Sequence, residues 1–320
     1  MSVVNQQEVL ASFKVLVSMA KADGKLLEEE FSSLANTFEE INLPEGVTVD
    51  RLLNEKDEPI DTLLTQITSE IAQEMVYQSA YAMANIDGDC SSEEKELLDK
   101  IGTTFTSSKL WGKQEWLETL ERRSTRSSIS EQVRQIDDPD KRAIEVESAT
   151  TDACFLNAVL GAFPIPGIAI AFDMLIYWNQ LDLAQAIGQS WGYDRDNENL
   201  RKALFGSLGI TGTRIAISNL AKLVPVFGMV VGATTAYAST WALGKVANEY
   251  YASGGEMDTF SLRQAFKQAK TEGEAVYKTK ADEIAAKKQA IAPQVQLLNE
   301  QLKAGSITPE EYQIKLKELL

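Results

Sequence analysis

The sequence predicts an all-α protein with an acidic N-terminal helical bundle, a hydrophobic helical-hairpin domain and a short C-terminal helical hairpin. Three observations predict it. Apolar residues recur at helical spacing through the first 120 residues, no stretch alternates with period two over the length of a strand, and two long apolar runs each carry Pro and Gly near one end. At 320 residues the chain has room for about two domains of ordinary size.

In residues 1–120 the apolar positions fall into three helical sets: Leu10, Phe13, Val17 and Ala20; Phe31, Leu34, Phe38 and Ile41; and Leu97, Ile101 and Phe105. The opening residues, MSVVNQQEVLASFKVL, lack a basic stretch followed by an apolar core and cleavage site, so they are expected to begin a helix rather than a secretory signal. Pro44, Gly46 and Pro59 make residues 42–60 turn-rich and divide the domain in half.

The two halves repeat. MAKADGKLLEEE at 19–30 and MANIDGDCSSEE at 83–94 superpose Met19 on Met83, Asp23-Gly24 on Asp87-Gly88, and Glu29-Glu30 on Glu93-Glu94. Each copy reads as a helix ending at Asp-Gly, a short turn and a new helix, because glycine accepts the left-handed conformation that ends a helix. Asp23, Glu30, Asp87, Asp89 and Glu94 are candidate oxygen ligands for a hard cation such as Ca²⁺ or Mg²⁺. The spacing is not that of an EF-hand loop. The alternative reading is purely structural: turns and solvated helix N-termini, with Ser91 and Glu94 at capping-box spacing.

Charge is distributed unevenly. Residues 1–120 carry 23 acidic and 9 basic side chains, a net of −14 of the chain's −16. Phosphate backbones require Lys and Arg to displace their counterions, so a nucleic acid is not an expected partner of this domain; cations or a basic protein surface suit it better. The chain has no histidine, which excludes Ser-His and Cys-His nucleophiles. Two cysteines, Cys90 and Cys154, are too few for a disulfide framework, and a reducing, cytosol-facing location is expected. No catalytic constellation can be assembled, and the chain is expected not to be an enzyme.

Residues 121–150 read as a charged linker with one exposed helix, broken near Pro139. Residues 151–255 then turn hydrophobic. Cys154 to Trp178 contains one charge, Asp173, and Leu223 to Leu243 contains none, lengths that suffice to span a bilayer. The Pro-Gly corners at 163–167 and 224–228 instead divide the first run into a short helix, a turn, and a helix from about Gly167 to Gly188. Each corner is followed by an aromatic and glycine stop, Trp191-Gly192 in one copy and Tyr251 to Gly254 in the other. Asp173 and Asp182 would each cost about 2.5–3.5 kcal/mol at the centre of a spanning helix. The apolar helices therefore either lie in or on a membrane or form the core of a bundle. Trp178, Trp191, Tyr193, Trp241, Tyr250 and Tyr251 suit ordinary packing, with a headgroup interface as the alternative.

Residues 256–320 form a charge-balanced helical tail. It ends with Gly305 as a stop, Thr308 as N-cap and Pro309 at the first helical position, and its seam is Leu298, Leu302, Ile307, Tyr312, Leu316 and Leu319.

These motifs resemble three known modules. Through its paired M-A-x-x-D-G…E-E units, the stretch 1–120 looks like the TerB-like domain of tellurite-resistance proteins, an all-helical fold whose acidic residues have been suspected of binding metal. FPIPGIAIAFDML, Trp191-Gly192, KLVPVFG and TWALGKVANEYYASGG resemble the YcjF-like domain that accompanies Era-type GTPases and is linked to membranes. The last 22 residues are similar to the SHOCT module, a hairpin thought to mediate oligomerisation. Relatives of the middle module often carry a GTPase in the same chain, but here there is no GxxxxGK[ST] loop. The resemblances imply a non-enzymatic, membrane-associated adaptor or scaffold in membrane or envelope stress. It would sit on the cytoplasmic side of a membrane, peripheral or hairpin-inserted, with membrane lipid or a membrane protein as partner. They further imply a GTPase in trans and self-association through the C-terminal tail. A soluble homo-oligomer with its apolar helices buried between subunits is the alternative.

Overall fold

A computed structural model of the chain describes residues 5–22, 35, 48–54, 58–85, 90–105, 135–163, 169–194, 198–208, 210, 215–217, 220, 232–304, 306, 307 and 309–319. All regular structure among them is α-helical, as the sequence predicts: α1 (Gln6–Ala20), α2 (Val49–Asn54), α3 (Ile60–Thr65), α4 (Glu70–Asn85), α5 (Ser92–Thr104), α6 (Pro139–Gly161), α7 (Ala169–Ser190), α8 (Glu198–Leu208), α9 (Ala233–Ala252), α10 (Thr259–Lys303) and α11 (Pro309–Leu319). The chain divides into two compact units. One comprises Met1–Leu110, Ile165–Met174 and Gly209–Val230, the other Trp111–Pro164, Leu175–Leu208 and Val231–Leu320.

In the first unit α1 is the central helix, packed on α2, α3 and α4, while α5 packs on α4. The helix α1 starts where the Asn5 side chain accepts the Glu8 N–H at 2.9 Å. Its apolar face is buried at Val9, Phe13, Leu16 and Val17. Glu8 is almost fully buried on that same helix, and its carboxylate accepts the backbone N–H groups of Thr68, at 2.8 Å, and of Ser69. Those are donors that the start of α4 leaves without an intrahelical acceptor, so a side chain sixty residues away completes the helix. On the rim, the ammonium of Lys14 pairs with Glu58, which holds the Glu58 carboxyl below the ordinary carboxylate value.

The second unit is organised around α9, which packs against α6 and α10 and is hydrogen-bonded to α7. The predicted break at Pro139 is instead a helix start: Asp138 caps the N–H groups of Asp140 and Lys141, and Pro139 occupies the first turn. Residues expected to belong to a linker thus open a 23-residue helix. The apolar run 223–243 is not one helix either, since Gly232 caps α9 and the helix begins at Ala233. Close helix approach is made possible by glycine. A Cβ on Gly244 would fall 2.5 Å from the Thr150 side chain of α6, one on Gly188 2.9 Å from the Tyr251 ring, and one on Gly273 2.9 Å from the Ala238 backbone.

Both predicted aromatic-glycine stops are helix ends. Gly192 adopts φ 89°, with the Tyr193 N–H donating to the Gly188 carbonyl, and Gly255 adopts φ 82°, with its N–H donating to the Tyr250 carbonyl. The tail is dominated by α10, 45 residues and about 67 Å long at 1.5 Å per residue. Leu262, Ala269, Ile284, Ile291, Val295 and Leu298 form its single buried stripe. At the terminal hairpin, Leu298, Ile307, Tyr312 and Leu316 are buried as the seam requires, and the Tyr312 hydroxyl donates to Asn299 Oδ1 at 2.8 Å. The predicted Gly305 stop, the Thr308 cap and the Leu302 side chain lie outside the described residues.

Candidate functional site

The proposed cation ligands belong to the two Asp-Gly repeats of the sequence. Asp23, Glu30, Asp87 and Asp89 lie outside the described residues; Glu94 lies within them. Its role there is a cap: Ser91 Oγ accepts the Glu94 N–H at 3.2 Å, and Glu94 Oε2 accepts the Ser91 N–H at 2.8 Å. The reciprocal pair satisfies two donors that α5 would otherwise leave open, so the carboxylate has a structural use whether or not a cation binds nearby. Among the described residues no group of three or more Cys, Asp or Glu side chains converges to hold a metal ion.

Beyond its cap, α5 is strongly two-faced. Leu98, Ile101 and Phe105 are buried against the unit, while Glu93, Glu96 and Asp99 point into solvent. Lys100 is committed to Asp61 at 2.8 Å in an exposed ion pair, which removes one of the few cations on this face from the balance. The helix thereby exposes the carboxylates of Glu93, Glu96 and Asp99 to solvent, with Lys95 beside them.

The second unit carries a polar cluster of another kind. Asn157 on α6, Asn179 and Gln180 on α7 and Thr240 on α9 are all buried, Asn157 and Thr240 completely. The Asn179 amide donates to Asn157 Oδ1 at 3.0 Å, and the Asn157 amide donates to Thr240 Oγ1 at 2.9 Å. Gln180 Nε2 donates to Thr240 Oγ1 at 3.1 Å and to Ser239 Oγ at 3.2 Å, and the Thr240 hydroxyl donates to the Ala236 carbonyl at 2.8 Å. The threonine oxygen thus uses its one donor and both acceptor positions. Every member of the cluster is neutral, so it has no proton to exchange near neutral pH. What it does is fix the register of three apolar helices.

The titratable groups near this core are pushed away from reactivity. Burial raises the Cys154 thiol above its ordinary value, which disfavours the nucleophilic thiolate. Burial, aided by Cys154 and Glu283, pushes the Tyr237 phenol up to about 12. Trp178, Trp241, Tyr250 and Tyr251 are buried in the unit, which is ordinary packing. Trp191 lies under the Arg142 guanidinium at 3.7 Å from its ring centre and donates to Asn248 Oδ1 at 2.8 Å, tying the ends of α6, α7 and α9 together.

Sequence reasoning passed over Asn157, Asn179, Gln180 and Thr240. Their signal was present: amides and a hydroxyl inside or at the edge of runs whose one charge is Asp173. Among the described residues, no helix is long and apolar enough to cross a membrane.

No family model and no solved structure matches the chain. It is similar to the uncharacterized protein sll0481 of Synechocystis sp., with 28% identity over 119 residues that cover 35% of this chain and 77% of that protein.

Proposed function

We propose that the chain is a non-enzymatic adaptor or scaffold whose working surface is the acidic N-terminal unit and whose hydrophobic helices are its own structural core. The observation that supports this reading most is the exposed carboxylate face of α5, Glu93, Glu96 and Asp99, in a segment of net charge −14. Such a face attracts a basic protein surface and repels nucleic acid. Charge reversal tests it: the triple variant Glu93→Lys, Glu96→Lys, Asp99→Lys, used in a crosslinking pull-down from intact cells, loses the partners that the parent captures at low salt. Those same partners dissociate from the parent in about 1 M salt, where charges are screened beyond about 3 Å. Capture that is indifferent to both changes contradicts the proposal.

In this reading the chain reaches the cytoplasmic side of a membrane peripherally, through a protein partner such as a GTPase in trans, and not by inserting α7 or α9. The inward burial of both helices supports the peripheral mode. Washing isolated membranes with alkaline carbonate then releases the protein; retention in the pellet contradicts it. Self-association through the α10–α11 hairpin belongs to the same proposal and is read from the mass in solution with and without residues 289–320.

The acidic Asp-Gly repeats of the sequence make the unit a candidate for cation response. Melting the full chain in millimolar Ca²⁺ or Mg²⁺ decides the point. A rise in Tm that Asp87→Asn abolishes supports a site; an unchanged Tm leaves Glu94 with its cap alone.

A further inference from the structure

We draw no further inference here: the strongest candidate, the buried stripe of α7 on which the Trp178 indole N–H and the Gln185 and Gln189 side-chain oxygens find no hydrogen-bond partner among the described residues, carries nothing because nothing in the structure shows what covers it.

Discussion

The two units bury polar groups by different means. In the first, a charged group is taken inside: Glu8 is almost wholly enclosed, and its carboxylate is met by backbone N–H groups at the start of α4. In the second the buried groups are amides and a hydroxyl, set in the middle of helices whose backbones are already satisfied. A carboxylate is tolerated where a helix end offers free donors and a favourable dipole. Mid-helix there are no such donors, so side chains must satisfy one another, and neutral amides do this without the desolvation cost of an ion. The same contrast appears at the surface. The first unit turns carboxylates outward along α5, while in the second most of the described side chains of α7 and α9 are buried.

Four experiments sharpen or break this contrast. The largest effect is expected at the centre of the amide cluster. Asn157→Ala deletes the donor to Thr240 and the acceptor for Asn179 and leaves a small cavity, a loss of about 3 kcal/mol. Chemical denaturation of the variant checks it; a loss well under about 1 kcal/mol means that the network is dispensable. Next is Gly244→Ala, whose new methyl group meets Thr150 of α6 at 2.5 Å. The expected loss is about 2 kcal/mol, and pairing it with Thr150→Ala, which removes both the methyl and the hydroxyl that face it, recovers part of it. Full additivity of the two changes would show that the close approach of α6 and α9 is not the cause.

The corresponding change in the first unit is Glu8→Gln. An amide oxygen still accepts from α4, but the charge that the helix end favours is gone, and the expected loss is about 1.5 kcal/mol. Hydrogen exchange should localise that loss to α1 and α4, with α9 unaffected. The smallest effect is that of pH on the Lys14–Glu58 pair. Because the lysine lowers the Glu58 carboxyl from its reference of 4.5, the pair contributes stability above the unfolded-state value, and that contribution is lost as pH falls through the depressed folded value. Glu58 is 37% exposed, so the contribution after solvent screening is under about 1 kcal/mol. Comparing the acid limb of the stability curve for the parent and Glu58→Gln measures it; coincident curves below pH 5 would remove the pair from the account.

What was legible in the sequence were features that depend on neighbours along the chain. The capping box of Ser91 and Glu94, the stops at Gly192 and Gly254 and the seam residues Leu298, Ile307, Tyr312 and Leu316 of the terminal hairpin rest on local sequence, and the structure places them as expected. Features fixed by tertiary packing were not legible. Pro139 looked like a helix breaker, but it is a helix start once Asp138 caps the turn. Gly273 and Pro293 argue locally against a long helix, yet α10 runs through both; a Cβ on Gly273 would meet Ala238 and Trp241, so close packing on α9 explains the glycine. The reach of Glu8 to a helix sixty residues away left no local pattern to read. At the candidate site, periodicity found Ile101 and Phe105 on the buried face of α5 but took Leu97, which is half-buried, where the structure buries Leu98; the amide cluster was not legible, because its partners come from three separate helices.

Everything turns on whether α7 and α9 are core or membrane elements, and hydrogen exchange on the full chain in detergent-free buffer measures this directly. The account predicts that amides of residues 175–190 and 236–251 exchange only through global unfolding, equally slowly with and without lipid vesicles. Rapid exchange in buffer that slows only when vesicles are added would contradict it.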